Sequence, residues 1–399
     1  MRPCFTGVVL ALVAAACGQT HGLPDDAGPD GSCDLDSVLS CGACDAPCMR
    51  NERCVDRACV PNAMQFSLGR SHMLVRTPDG LVRALGAPVP PGVLAEHETD
   101  ALTWTVVREL AETLPAYSSW HVCVERAGTV SCFGDNSELQ LGVAEPAWSR
   151  ELVEPALPSP IRSLAVGPAH SCAVDANHEV YCWGSNRDEA MWADSTTMFS
   201  LPVPMGYTGT LLGLGSEYTC VVDLAGHLDC FGRGGAILWP TRMPDPTRVA
   251  RVFAGGCVCP VYVDGRAACS GCPSPELTLR PDIRVDELYS ELSFLESPVI
   301  DVALGAGFYA LQADGGVVAW GEADRLGPHI AGDGYESGGI VGPLPVPVPP
   351  MSTLACVWEL CCGVTVEQEL WCWGHRDAAG GALWSSSSSE WNLGRVLVP

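Results

Sequence analysis

The feature that most constrains the fold of this chain is an internal repeat. A short segment recurs along the chain. In each copy, two runs of alternating apolar residues flank a turn, such as Asp264-Gly265 or Asp314-Gly315, and the second run ends in a glycine. The seven terminal glycines are Gly86, Gly134, Gly184, Gly232, Gly271, Gly321 and Gly374. The repeating unit is therefore about 50 residues long, with a fifth copy about ten residues shorter. Each copy predicts a β-hairpin.

Further strands complete each unit. A short apolar run ending in glycine precedes most copies, for example at Gly167, Gly215 and Gly305. A proline-flanked extended run, such as residues 202–204, follows most of them. Four strands per unit, repeated seven times without helical periodicity, are typical of a β-propeller. We therefore predict an all-β, seven-bladed propeller over residues 64–399.

One copy carries a specific family resemblance. The stretch SLAVGPAHSCAVDANHEVYCWGSN, residues 163–186, resembles the regulator of chromosome condensation repeat almost throughout. The segments 136–142 (NSELQLG), 326–327 (LG) and 392–394 (NLG) are similar to the end of that repeat, whereas copies one, five and seven depart most. The resemblance implies seven blades and a protein-binding propeller. The family's nucleotide-exchange and chromatin roles do not transfer to an acidic, exported chain.

Cysteines occupy matching places in five of the hairpins. Where they are absent, both positions hold other residues, Leu74 with Ala84 and Ala310 with Ala319. Directly opposed residues of antiparallel strands place their Cβ atoms about 4.5–5.5 Å apart, near disulfide geometry. The predicted bridges are Cys123–Cys132, Cys172–Cys182, Cys220–Cys230, Cys259–Cys269 and Cys362–Cys372.

Two further bridges are expected outside these pairs. Cys257 and Cys272 flank the fifth-copy pair and predict a nested disulfide. Cys356 and Cys361 are the last pair, and exchange among Cys356, Cys361 and Cys362 stays open.

The N-terminus resembles an export signal. Residues 1–16 contain one arginine and an apolar run too short to span a bilayer. The sequence AAAC ending at Cys17 resembles a bacterial lipobox, which implies lipidation of Cys17; plain cleavage after Ala16 is the alternative. Residues 17–32 predict a flexible acidic tether. We expect an exported bacterial protein, lipid-anchored to the cell envelope, at the outer membrane or cell surface.

A small cysteine-rich module covers residues 33–60. A segment of this length needs covalent staples, and its six cysteines predict three disulfides of open connectivity. The Cys41–Cys44 CxxC lacks the context of a redox or zinc site and is interpreted as structural. The module's cysteines are Cys33, Cys41, Cys44, Cys48, Cys54 and Cys59.

Charge and side-chain chemistry restrict the function. The net charge is −25 and all 22 basic residues are arginines, which argues against binding to nucleic acid or anionic lipid. His72, His121 and His170 occupy one repeat position and are expected to form structural hydrogen bonds. Aromatic residues before the repeat glycines, such as Trp183, are expected to fill the space between blades. Only Asp301 lies near a candidate inner strand, so we predict no catalytic residue, metal or cofactor.

The leading functional hypothesis is a monomeric, non-catalytic, cell-surface scaffold for protein binding. The stretches 87–115, 273–298 and 375–391 exceed what a blade needs, and loops on rigid scaffolds often carry binding sites. The acidic segment 273–298, a candidate amphipathic helix, would favour a locally basic partner. The alternatives are a carbohydrate-active enzyme, which needs paired carboxylates at the channel, and a structural envelope component.

Overall fold

The structure is a computed structural model, and it separates Met1–Cys33 from Asp34–Pro399. The predicted signal, Cys17, the tether, Cys33 and Cys44 lie outside the described residues. So do most of the stretches 87–115, 273–298 and 375–391. The described residues are 39, 41, 47–48, 52–69, 72–86, 104–107, 114–117, 121–158, 160–191, 197–234, 237–238, 241–242, 245, 247–272, 290–332, 339–375 and 391–398.

Six repeats form complete blades of antiparallel strands. The blade of repeat one contains β3 (Gln65–Leu68), β4 (His72–Arg76), β5 (Val82–Gly86) and β6 (Thr105–Val107). The blade of repeat two contains β7 (Leu114–Tyr117), β8 (His121–Arg126), β9 (Thr129–Asp135) and β10 (Trp148–Val153). The blade of repeat three contains β11 (Ile161–Val166), β12 (His170–Asp175), β13 (Glu179–Ser185) and β14 (Met198–Thr208). The blade of repeat four contains β15 (Leu211–Leu214), β16 (Tyr218–Val222), β17 (Leu228–Gly234), β18 (Ile237–Leu238) and β19 (Thr241–Arg242). The blade of repeat six contains β24 (Val299–Leu304), β25 (Phe308–Gln312), β26 (Val317–Glu322) and β27 (Ile340–Pro345). The blade of repeat seven contains β28 (Ala355–Val357), β29 (Leu360–Val364), β30 (Leu370–His375) and β31 (Trp391–Val396).

The prediction of seven blades is wrong, because the fifth repeat does not complete one. Its described strands form two separate two-stranded ladders: β20 (Val249–Ala254) with β21 (Val258–Tyr262), and β22 (Ala268–Cys269) with β23 (Ser290–Glu291). Only the isolated bridges Val258–Ser270 and Val261–Ala267 link β21 to β22.

Pro260 explains the interruption. Val258 and Tyr262 donate their backbone N–H groups to Ser270 and Arg266 of the returning strand. In an antiparallel pair, the residues whose N–H groups point to the same neighbouring strand recur at every second position. Residue 260 lies midway between Val258 and Tyr262, so its backbone N–H would also point to the returning strand. Proline has no N–H, so the ladder bond between them is missing. The propeller therefore has six complete blades, and the fifth repeat is a reduced element between the fourth and sixth.

All repeats nevertheless contribute an inner strand to one closed ring. Contacts run from β3 through β7, β11, β15, β20, β24 and β28, and β28 contacts β3 again. The second strands, such as β12 and β16, are buried along their whole length. Neighbouring blades cover both of their faces, so the apolar core lies between blades rather than at one centre.

Few other elements are described. The cysteine-rich module contains a hairpin of β1 (Glu52–Val55) and β2 (Ala58–Pro61). Two single-turn helices, α1 (Ala323–Leu326) and α2 (Pro328–Ala331), follow β26. Within the described part of the chain, no helix has the length and apolar character needed to cross a membrane.

The described end of the 273–298 stretch differs from the expected helix. Residues 290–291 form a strand, and Leu292 is buried. Phe294 packs edge-on against Trp320 with ring centroids 5.3 Å apart. This end completes the apolar packing around the fifth repeat, so its apolar residues are not an exposed docking face.

Candidate functional site: the mouth of the propeller channel

The site rests on a scaffold of covalently closed hairpins. The cysteines predicted to pair within hairpins are bonded in the structure: Cys123–Cys132, Cys172–Cys182, Cys220–Cys230, Cys259–Cys269 and Cys362–Cys372. Cys172 lies directly opposite Cys182 in the strand register. Ser185 donates its N–H to the Ala169 carbonyl, which makes the cysteine pair a non-hydrogen-bonded one, where Cβ atoms are closest.

The remaining described cysteines are also bonded. Cys257–Cys272 and Cys356–Cys361 occur as expected, and the module contains Cys41–Cys54 and Cys48–Cys59. Cys41 therefore does not bond its CxxC neighbour. The described clusters with spacing suitable for a metal all include these bonded cysteines. Disulfide sulfurs are not the thiolates that metals require, so these clusters do not provide a metal site.

Buried polar side chains join successive blades at the repeated histidine position. His121 Nε2 lies 2.7 Å from Ser171 Oγ, and His170 Nε2 lies 2.9 Å from Thr219 Oγ1. In the next blade Tyr218 takes this place and donates its hydroxyl to the Cys257 carbonyl at 2.9 Å. The histidines therefore link blades, in line with the structural role predicted for this position.

Burial determines the protonation of these groups. Desolvation, with a smaller contribution from His170, lowers the pKa of His121 from 6.5 to about 3. Desolvation lowers the pKa of His170 from 6.5 to about 4. Both imidazoles are consequently neutral at pH 7 and engaged with hydroxyls, so neither is available as a general base at the surface. The side chain of His72 lies outside the described residues.

Aromatic side chains fill the space between blades, as expected. Trp183 is fully buried, packs in one cluster with Cys132 and Leu141 of the preceding blade, and donates its indole N–H to the Gln140 carbonyl at 2.9 Å. Equivalent residues pack against the preceding repeat elsewhere in the ring: Phe133, Phe231, Trp320 and Trp373. These aromatics hold the scaffold together and are not exposed to a ligand.

A cavity of about 780 Å³ lies at one end of the channel. It lies where the inner strands β11, β15, β20, β24 and β28 end. Many of its lining residues are small, with one proline among them: Gly167, Pro168, Gly215, Ser216, Gly255, Gly256, Gly305 and Ala306. The rim glycines permit close approach, because a Cβ at Gly167 would lie 3.0 Å from the Gly215 carbonyl oxygen. We call this cavity the channel mouth.

Repeat seven breaks the small-residue pattern of the mouth. Its inner hairpin turns through Trp358 and Glu359, between β28 and β29. Trp358 is 60% exposed and has a φ of 49°, a left-handed conformation that bulky residues rarely adopt. The Cys356–Cys361 disulfide closes this turn. An exposed indole is thus presented from a turn that a covalent bond holds in shape.

Charged side chains lie in the turn and beside it. Arg325, which lines the mouth, pairs through Nε with Glu322 at 2.6 Å. Glu359 also lines the mouth, is 56% exposed, and has His375 Nδ1 at 3.8 Å. Among the described lining residues, Glu359 carries the one carboxylate. Asp301, the acid noted from the sequence, is buried within β24 and does not line this cavity.

The cysteine-rich module contacts the opposite end of the inner strands. Leu39 is buried in one apolar cluster with Ala250 and Ile300, near the starts of β20 and β24. Pro47 and Cys48 line a cavity of about 270 Å³ with residues at the starts of β15 and β20. This packing was not anticipated from the sequence, because nothing in a short disulfide-rich segment indicates which surface it covers.

The fold is a β-propeller with a cavity at one end of its channel, and comparisons with known proteins agree on the propeller fold. Residues 161–189 match the Regulator of chromosome condensation (RCC1) repeat. No protein of curated function matches the sequence significantly.

Solved structures with a similar architecture come from several eukaryotes. Human WBSCR16 aligns with a TM-score of 0.58 and 18% identity, over 77% of this chain and 89% of that one. Yeast RCC1 (Prp20), solved bound to Kap60, aligns with a TM-score of 0.49 and 15% identity, over 82% and 72%. The ectodomain of the Physcomitrella patens receptor kinase CR4 aligns with a TM-score of 0.49 and 18% identity, over 78% and 73%. Human WBSCR16 has the one TM-score above 0.5 among these three, and at 18% identity its likeness supports a shared fold.

Sequence reasoning identified the scaffold but missed the mouth. Its expected binding stretches were the long insertions, whereas Trp358 and Glu359 belong to a tight turn. A signal was nevertheless present: most of the other inner strands are followed by glycine, whereas repeat seven has Val357-Trp358-Glu359 there.

Proposed function

We propose that this chain is a protein-interaction scaffold without catalysis of its own, and that the channel mouth is its binding face. The observation that carries the proposal is the exposed Trp358 on a disulfide-closed turn at the rim of a 780 Å³ cavity. Tryptophan dominates binding energy when it becomes buried at the centre of an interface. A rigid scaffold also lowers the ordering cost of association.

A carbohydrate-active enzyme in the channel has less support. Glycoside hydrolysis ordinarily uses two carboxylates flanking one bond. The described lining residues of the mouth supply only Glu359. The buried histidines are neutral and bonded to neighbouring blades, so they offer no acid or base there. The alternative of a purely structural envelope component does not require a tryptophan that is 60% exposed at the rim of a cavity.

The location is part of the proposal. We place the protein at the bacterial cell surface, exported by residues 1–16, lipidated at Cys17 and extended by the tether 17–32. Disulfides persist in oxidising compartments, and the described hairpin cysteines are bonded. Changing Cys17 to Ser should release the protein from the membrane fraction or block its maturation. Unchanged membrane partitioning would contradict the anchor.

Affinity capture tests the binding face. The tagged full-length protein should retain a partner from its native envelope, and Trp358→Ala should reduce that retention at least tenfold, in the range of a tryptophan hot spot. Trp148→Ala is the matched control, since Trp148 is 39% exposed but lies on the outer strand β10. Equal retention by both variants would show that the partner binds away from the channel mouth.

A further inference from the structure

The geometry of the mouth points to the chemistry of the partner. We propose that the channel mouth receives an arginine or lysine side chain from the tip of a partner loop, held between the indole of Trp358 and the carboxylate of Glu359. This inference rests on the proposed function and adds a specific recognised group. It concerns two adjacent residues of one turn, both of which line the cavity.

The turn is built to keep these two groups in place. Cys356 and Cys361 are bonded across only 5 residues of chain separation, with the turn between them. Gly305 of the neighbouring repeat lies against the turn, since a Cβ there would be 2.7 Å from the Trp358 carbonyl oxygen. A left-handed tryptophan is costly, and such conformations persist where the surroundings hold them, commonly at functional sites.

The local charge favours a cation. Arg325 is the one cationic side chain among the described lining residues, and its guanidinium is already paired with Glu322. Within the described residues, the Glu359 carboxylate has the more distant His375 contact at 3.8 Å, so the unbalanced charge of the described lining is negative. The whole chain carries a net charge of −25, which also attracts a basic partner.

The shape of the rim suits a long side chain on a narrow tip. Glycine, alanine and serine residues around the mouth leave room for an inserted group. An indole face attracts a guanidinium or ammonium group, and a neighbouring carboxylate adds a charge-assisted hydrogen bond. Arginine can use both at once, because its planar guanidinium stacks while its edge donates.

Cyclic peptides provide a defined probe. Disulfide-closed peptides carrying arginine, lysine or citrulline at the tip are titrated against the full-length protein by fluorescence anisotropy. Citrulline preserves the shape of arginine without its charge. Replacing arginine by citrulline should weaken binding to the wild type about 3- to 30-fold. That ratio should fall to near one in the Trp358→Ala/Glu359→Gln variant and stay unchanged in Trp148→Ala.

The variants distinguish local recognition from general attraction. An arginine-to-citrulline ratio that stays the same in Trp358→Ala/Glu359→Gln would mean that only the overall negative field is felt, and would overturn the inference. Preferential binding of neutral oligosaccharides with the same Trp358 dependence would also overturn it. If the native partner depends on Trp358 while the peptides show no arginine preference, the proposed function stands and this inference fails. If neither depends on Trp358, both fail.

Discussion

The two buried histidines that join blades should make the propeller sensitive to acid. His121 and His170 are about 0–1% exposed, and burial lowers their pKa values to about 3 and about 4. In the unfolded chain both return to about 6.5. Below that pH the unfolded state binds more protons than the folded state, so the free energy of unfolding falls as pH decreases from about 6.5 towards 4.

The expected magnitude follows from the pH interval. At pH 5 each unfolded histidine lies 1.5 pH units below its pKa, while each folded histidine is still mostly neutral. At about 1.36 kcal/mol per unit, the loss is about 2 kcal/mol for each histidine and about 4 kcal/mol for both. These losses are of the same order as half the stability of a typical domain.

The assay compares urea unfolding at pH 7 and pH 5 for the wild type and for His121→Gln/His170→Gln. Glutamine places an amide nitrogen near the position of Nε2 and does not titrate in this range. Carboxylates contribute equally to both proteins, so the difference between their pH responses isolates the histidines. The double variant should lose about 4 kcal/mol less than the wild type. Equal losses would refute the account of neutral, inter-blade histidines.

Three further predictions test the scaffold and the mouth. Gly184→Ala should lower the free energy of unfolding by about 2–4 kcal/mol in a urea titration, because the φ of Gly184 is 102° and a Cβ there would lie 2.6 Å from the Ala169 carbonyl oxygen. Gly394→Ala is the control: a Cβ at Gly394 would have no atom within 4 Å, so the same titration should show a change of less than about 0.5 kcal/mol. Changing both Cys172 and Cys182 to Ala, the residue that the sixth repeat has at these two positions, should lower the free energy of unfolding measured by calorimetry by about 2–3 kcal/mol. An unchanged free energy of unfolding would show that this disulfide does not stabilise the blade. Trp358→Gly should be more stable than Trp358→Ala by about 0.5–1 kcal/mol in thermal unfolding, since glycine adopts the left-handed conformation more easily, and the reverse order would contradict the assigned backbone.

The local architecture was predictable because local pattern determines it. Alternating apolar residues around a turn predict a hairpin. In each repeat the two matching positions are either both cysteine or both another residue, and this pattern predicts a disulfide such as Cys172–Cys182. Both depend on residues close in sequence. The structural role of the position shared by His121 and His170 was predictable from comparison of the repeats, since other copies hold Tyr218, Cys257, Phe308 and Leu360 there.

The errors concern arrangements that depend on the whole ring. Seven repeats predicted seven blades, but Pro260 removes one ladder bond and the fifth repeat stays incomplete. The channel mouth exists only once distant inner strands converge, so the grouping of Trp358 with Arg325 was not visible in the sequence. The packing of Leu39 against Ala250 is likewise a tertiary contact without a local pattern.

The most direct test of the binding face is site-specific photo-crosslinking in the full-length protein. A photoreactive phenylalanine analogue is placed at position 358 in the mouth or at position 148 on the outer strand β10, and crosslinked products are identified by mass spectrometry. The proposed function predicts a partner crosslinked from position 358 and not from position 148, and the further inference adds that the crosslinked peptides contain arginine or lysine at a loop tip. A partner crosslinked from position 148 alone would contradict the assignment of the channel mouth as the binding face.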